Sequence, residues 1–166
     1  MNRLRRVGRE LRGWLLVLLG IFLLQAFLSR SPLNGVEAPH LQGVTVNGPV
    51  FTGLDALPKP ALVYFWASWC GVCKLMQGTV SELAHEVPLI TVATQSGDRS
   101  VVAEYMKVKG FEVPTLLDES GALAERYGVR GVPSFFILDR EGRIAFSLTG
   151  LSSGIGLRLR LWWAAR

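Results

Sequence analysis

From Ala61 to Trp66 every side chain is apolar or aromatic, without polar alternation, and the run breaks off at two cysteines, Cys70 and Cys73. That pattern predicts a strand buried on both faces. From Cys73 onward Leu75, Met76, Val80 and Leu83 recur at helical spacing. The cysteines therefore fall where strand becomes helix, and the helix is expected to stop before Pro88. Leu89 to Ala93 predicts another short strand, Ser100 to Lys109 a second helix, Thr115 to Leu117 a strand, and Ala122 to Tyr127 a helix ended by Gly128.

Further on, Phe135 to Asp139 and Ile144 to Leu148 flank Arg140-Glu141-Gly142-Arg143, which predicts an antiparallel hairpin. Upstream, Val44-Thr45-Val46 and Val50-Phe51-Thr52 flank Asn47-Gly48-Pro49, a small hairpin whose second strand Pro49 places at an edge. Leu157 to Leu161 alternates as a strand does. Its place after a completed hairpin, and the Trp162-Trp163-Ala164-Ala165 that follows, favour a terminal helix with its tryptophans packed on the sheet, contact of these tryptophans and the C-terminal arginines with a membrane surface being the alternative. The body, from about His40 to Arg166, thus reads as one α/β domain of ordinary size.

The N-terminus has a different pattern. Arg3, Arg5, Arg6, Arg9 and Arg12 precede an uncharged, largely apolar run from Gly13 to Ser29. A spanning helix needs roughly 17–25 residues, so this run is just long enough, and it also overlaps the profile of a secretory signal. Cleavage separates the two readings. The small-residue sites, Ser29-Arg30-Ser31 and Val36-Glu37-Ala38, each precede a proline, so an uncleaved anchor at 13–29 is expected. The arginine bias puts a basic tail, 1–12, in the cytoplasm and everything after residue 30 outside. Residues 30–39, with Pro32 and Pro39, read as a tether.

The net charge of +5 changes little once the arginines are located. The first thirty residues hold six arginines and one glutamate, leaving 12 basic against 12 acidic residues beyond. A neutral body offers no nucleic-acid surface.

Cys70 and Cys73 are the chain's two cysteines. Open backbone N–H groups at a helix start favour a thiolate, so Cys70, at an exposed tip, is expected to be the more acidic and nucleophilic sulfur. Cys73, one turn behind, is placed to attack a mixed disulfide formed at Cys70. A structural disulfide between cysteines three apart closes too small a loop to stabilise much. Soft thiolates also suit Cu(I), but the candidate further ligands are His40 in the tether and His85 on the first helix, and no histidine follows residue 85. Trp66 closes the buried strand, whereas Trp69, beside Cys70, is expected to flank a substrate surface.

The stretch Phe65-Trp66-Ala67-Ser68-Trp69-Cys70-Gly71-Val72-Cys73-Lys74, followed sixty residues later by Gly131-Val132-Pro133-Ser134, resembles the thioredoxin superfamily. The N-terminal hairpin, the anchor and Pro114 to Gly131 resemble its membrane-tethered, periplasm-facing TlpA/ResA type. The resemblance implies a thioredoxin fold with a central mixed β-sheet flanked by helices. It also implies Cys70 as attacking and Cys73 as resolving thiol, with no cofactor beyond that redox pair and no metal. Trp69, Gly71, Val72, Val132 and Pro133 would border the substrate, with Pro133 in a cis bond that exposes the Val132 backbone to an extended segment.

An anchored domain without a large insertion resembles the reducing branch of the family. Its partners would be client proteins bearing disulfides, the inner membrane, and a transmembrane thiol reductase as electron donor; thiol oxidation and Cu(I) binding are the alternatives. Three departures accompany the match. Tyr64 stands where thioredoxins carry a buried aspartate, Met76 where many TlpA/ResA-type reductases have a glutamate, and Val72 at a position where proline is frequent.

Overall fold

The computed structural model describes residues 35–166, together with Trp14, Val17 and Gly20, which are helical. Apart from these three, the expected anchor at 13–29 lies outside the described residues, as do the basic tail and the first part of the tether. No described helix is long and apolar enough to cross a membrane.

Residues 35–166 belong to one compact unit. Strands β1 (Gly43–Val44) and β2 (Val50–Phe51) make the small hairpin, shorter than its apolar pattern suggests. Then follow β3 (Ala61–Trp66), α1 (Gly71–Glu86), β4 (Leu89–Thr94), α2 (Arg99–Lys109), β5 (Thr115–Asp118), α3 (Ala122–Arg126), β6 (Ser134–Leu138), β7 (Ile144–Thr149) and α4 (Gly154–Ala164). The main sheet has the order β5-β4-β3-β6-β7. β3, β4 and β5 run parallel, while β6 and β7 are antiparallel to their neighbours, so the sheet is mixed.

β3 lies at the centre with all of its residues buried, as its unbroken apolar run requires. Leu62, Tyr64 and Trp66 point into one core with Val80 and Leu83 of α1, Val102 and Met106 of α2, and Leu157 and Leu161 of α4. Ala61, Val63 and Phe65 point into the other, with Leu41, Leu54, Ala124 of α3 and Tyr127. A buried polar chain crosses the parallel strands. The Trp66 indole N–H donates to Thr91 Oγ1 (3.1 Å), Thr91 lies 2.8 Å from Thr115 Oγ1, and Thr115 donates to Val113 O (2.9 Å). Because Thr115 spends its hydrogen on Val113, Thr91 is the donor between the two threonines.

Helix ends follow side-chain chemistry. Asp98 caps α2 by accepting from Ser100 N and Val101 N, and the hydrogen bond from the Ser100 hydroxyl, helped by these two, holds its carboxyl below the usual range. α3 has no side-chain cap at Gly121; instead Asp118, at the end of β5, accepts from Leu123 N and Ala124 N, and also from Thr94 Oγ1.

Two expectations are revised. Residues 35–39, expected as free tether, are already bound to the domain. Gly35 N donates to Ile144 O, Ile144 N to Val36 O and Ala38 N to Gly142 O, while the Tyr127 hydroxyl donates to Pro39 O. From there the chain crosses beneath the sheet through Leu41 and reaches the opposite edge, where Val46 N donates to Thr115 O of β5. Arg99 holds that end down, its guanidinium donating to Thr45 O at 2.7 Å and to Val44 O at 3.3 Å. The second revision concerns α4. It is a helix, but Leu157, Leu161 and Ala164 face the core while Trp162 and Trp163 are exposed.

Candidate active site

β3 ends at Trp66, and a short turn brings Cys70 to the position just before α1. Its extended backbone and side chain make it the helix N-cap, with Cys73 N donating to Cys70 Sγ at 3.0 Å. Cys70 and Cys73 form a disulfide with their Cα atoms 5.2 Å apart. In the reduced pair, the same N–H and the open helix end would favour a negative charge on Cys70, by about 0.3–1 kcal/mol for the helix terminus.

The expected exposed tip is corrected by burial. Cys70 is only 6% exposed and Cys73 not at all, because Val132 and the start of α1 close around them. Access to Cys73 therefore runs through Cys70. What stands out in solvent is apolar: Trp69 at 62% and Leu75 at 73%, with Val72 less so. Leu75, read from its spacing as a core position, points away from the core that Met76, Val80 and Leu83 enter. Gly71 is exposed on the same first turn.

The second motif arrives from β6. Val132–Pro133 is a cis peptide, as expected, and Lys59–Pro60 is another. Pro133 is buried, and Val132 is half-buried with its carbonyl oxygen 3.4 Å from Cys70 Sγ. The Pro133 carbonyl accepts from Gly150 N (2.8 Å), and Ser134 Oγ donates to Gly131 O (2.7 Å) while meeting Thr149 Oγ1 at 3.0 Å. All seven residues expected at the site, Trp69, Cys70, Gly71, Val72, Cys73, Val132 and Pro133, thus come from its two motifs, on the α1 turn and the approach to β6.

The loop after β4 also supports the site, and sequence reasoning missed it. The Trp69 indole N–H donates to Gln95 O (2.9 Å), and Ser68 N donates to Ser96 Oγ (3.0 Å), whose own hydrogen goes to Thr94 O. Gln95 is the described non-glycine residue with positive φ, at 45°. A lone Gln-Ser pair carries no pattern that would reveal such a latch.

Tyr64 shares a core with the cysteines and stacks on Phe135, with ring centroids 4.7 Å apart. Among the described residues its hydroxyl is the buried side-chain polar atom without a hydrogen-bond partner. Burial, and secondarily Tyr105, push its phenol well above the ordinary value. It is therefore neutral near pH 7 and unfit to act as the base that takes a proton from Cys73. Met76 is buried in the same core and has no proton to exchange. Neither histidine joins the site: His40 Nε2 meets Gln42 Oε1 at 2.9 Å, and His85 is in the last turn of α1.

A cysteine pair at a strand-to-helix turn, faced by a cis-proline loop on a mixed five-stranded sheet, defines a thioredoxin-like protein. Comparison with known proteins narrows this: residues 34–147 match the AhpC/TSA family, and the chain belongs to that family. It is 33% identical over 135 residues to a thioredoxin-like protein of Haemophilus influenzae, covering 80% of this chain and 77% of that one. It is 31% identical over 157 residues to the thiol:disulfide interchange protein DsbE of Pseudomonas fluorescens, covering 85% and 87%. Among solved structures, a thio-disulfide isomerase from Thermus thermophilus superposes with a TM-score of 0.67 at 31% identity, covering 79% of this chain and 96% of that one.

Proposed function

We propose that this chain is a thiol-disulfide oxidoreductase, tethered by residues 13–29 to a bacterial inner membrane with its catalytic domain in the periplasm, and that it reduces disulfides of client proteins. The observation that carries the reading is the Cys70–Cys73 pair capping α1, with Cys73 N–H on Cys70 Sγ and Val132 O beside it. Relatives named as thiol:disulfide interchange proteins support the same chemistry.

In the forward reaction the Cys70 thiolate attacks one sulfur of a client disulfide. A Cys70–client mixed disulfide forms and one client thiolate leaves. The Cys73 thiolate then attacks Cys70 Sγ, forming the intramolecular disulfide and releasing the second client sulfur. Two electrons pass to the client, whose thiolates take up protons. A transmembrane thiol reductase returns two electrons to Cys70–Cys73. Trp69, Gly71 and Val72 on one side and Val132–Pro133 on the other border the path of an extended client segment. Within the family, the hairpin, the anchor and Pro114 to Gly131 most resemble the suppressor-for-copper-sensitivity protein D, which makes copper tolerance the setting in which to look for clients.

Direction is the part to test first. A dithiol in an oxidising compartment becomes a disulfide unless electrons are supplied. Trapping free thiols in intact cells is expected to find Cys70 and Cys73 reduced, and oxidised once the transmembrane thiol relay is removed. A pair oxidised in normal cells, with a purified protein unable to reduce a protein disulfide, would replace reductase by oxidase. Copper titration followed by thiolate absorption separates off the Cu(I) reading.

A further inference from the structure

α4 carries two apolar faces. Leu157, Leu161 and Ala164 are buried against the sheet, whereas Ile155, Leu159, Trp162 and Trp163 are exposed, with Leu151 just before the helix also exposed. At about 100° per residue, Ile155, Leu159 and Trp162 fall within an arc of roughly 60°, opposite the buried set. Trp162 and Trp163 are 52% and 66% exposed, an unusual position for two adjacent indoles on a folded domain.

On α4 itself the charge flanking this stripe has one sign, while Glu82 and Glu86 of α1 face one flank. After Glu141 the chain contains Arg143, Arg158, Arg160 and Arg166 and no acidic residue. Arg158 flanks one side of the stripe and is committed, donating to both carboxylate oxygens of Glu86 (2.7 and 2.6 Å) and reaching Glu82 at 3.5 Å. Arg160 lies on the other side, bonded to Gly156 O, and the Arg166 guanidinium sits 3.5 Å over the Trp162 ring. Arg160 and Arg166 are thus cations without a carboxylate partner among the described residues.

We infer that the exposed face of α4 is a bilayer-docking surface, in which Ile155, Leu159, Trp162 and Trp163 enter the interfacial region of a membrane while Arg160 and Arg166 meet anionic lipid headgroups. Indoles with basic neighbours on the outer face of a short helix are the composition that the membrane interface selects. Two copies of this face would set arginine against arginine, so a second copy is the poorer occupant. Arg158 fastens α4 to Glu82 and Glu86, about 18 and 24 Å along α1 from Cys70 at ~1.5 Å per residue. The inference rests on membrane tethering only for bringing α4 beside a bilayer.

The test uses the full chain in vesicles of phosphatidylethanolamine and phosphatidylglycerol whose acyl chains are brominated, a contact quencher of tryptophan fluorescence. Trp14, in the apolar run, supplies a background common to all variants. The expected result is an additional quenched component that disappears when both indoles are removed as Trp162→Phe with Trp163→Phe. It is also expected to be lost in Ile155→Asp with Leu159→Asp, which alters only exposed positions and keeps the reporters. Quenching that is the same in wild type and in the phenylalanine pair overturns the inference, whether a second copy or a protein partner covers the face instead. So does quenching that survives the aspartate pair. Protein that fails to float with the vesicles rejects tethering as well. Protein that floats but shows no Trp162/Trp163 component rejects the docking face alone.

Discussion

The Val132 carbonyl oxygen stands 3.4 Å from Cys70 Sγ although 62 residues separate the two. It is held there from behind, because the neighbouring Pro133 carbonyl is taken by Gly150 N and the Gly131 carbonyl by Ser134 Oγ. Cys70 consequently borders the route along which a client strand would lie, and Cys73 lies beneath it, closed to solvent.

That nesting predicts unequal roles for the sulfurs. Cys73→Ser is expected to accumulate mixed disulfides with clients, resolved on non-reducing gels, because Cys70 can attack but nothing can release it. Cys70→Ser is expected to accumulate none. Equal trapping by the two variants would reject the assignment.

Tyr64→Phe is expected to stabilise the domain by about 1 kcal/mol, since it removes a buried hydroxyl without a partner, and to leave the rate of disulfide exchange unchanged. Denaturant unfolding and insulin reduction check the two halves. A loss of exchange rate would show that the hydroxyl takes part in the chemistry.

Alkaline pH tests the same residue differently. Burial raises the phenols of both Tyr64 and Tyr127 above their ordinary value. A group whose folded pKa is raised contributes stability that is complete below the unfolded value and is lost as pH climbs from there toward the folded one. Stability is therefore expected to fall above about pH 10, by roughly 1.4 kcal/mol per pH unit for each tyrosine. Tyr64→Phe should remove one of the two contributions from that slope.

Thr91→Val is nearly isosteric but strands the Trp66 indole N–H and removes the donor to Thr115. The expected cost is about 1–3 kcal/mol, seen as a lower unfolding midpoint. No change would mean that Trp66 finds another acceptor in the core.

Asp118→Ala removes a buried acceptor from Leu123 N, Ala124 N and Thr94 Oγ1 at once. The expected loss is roughly 2–4 kcal/mol, with hydrogen exchange accelerated first in α3 and exchange chemistry at Cys70 unaffected per folded molecule.

What could be read in advance was whatever the side-chain pattern encodes. The unbroken apolar run of β3 does mean burial on both faces, and the cysteines do stand at a strand-to-helix turn. Residues 35–39 escaped because they bind through backbone groups, which leave no periodicity. The Gln95–Ser96 latch escaped because only the fold brings it to Trp69 and Ser68. α4 was misread in phase: its tryptophans are the most conspicuous apolar residues, yet the i, i+4, i+7 set Leu157, Leu161 and Ala164 takes the core. Leu75 misled in the same way, sitting one position before the buried Met76.

The path of residues 35–46 has a consequence for solubility. An open sheet ends in two strands with unpaired backbone groups, each a template on which a second chain can grow. Here one segment covers part of both: Gly35 to Ala38 lie against the start of β7 and the turn before it, and Thr45 and Val46 against β5. A cut or an insertion between Pro39 and Gly43 would loosen its hold on both rims in a single event. The casualty would then be dispersal of the protein in concentrated solution, with the disulfide chemistry, centred on β3 and α1, among the last properties to suffer.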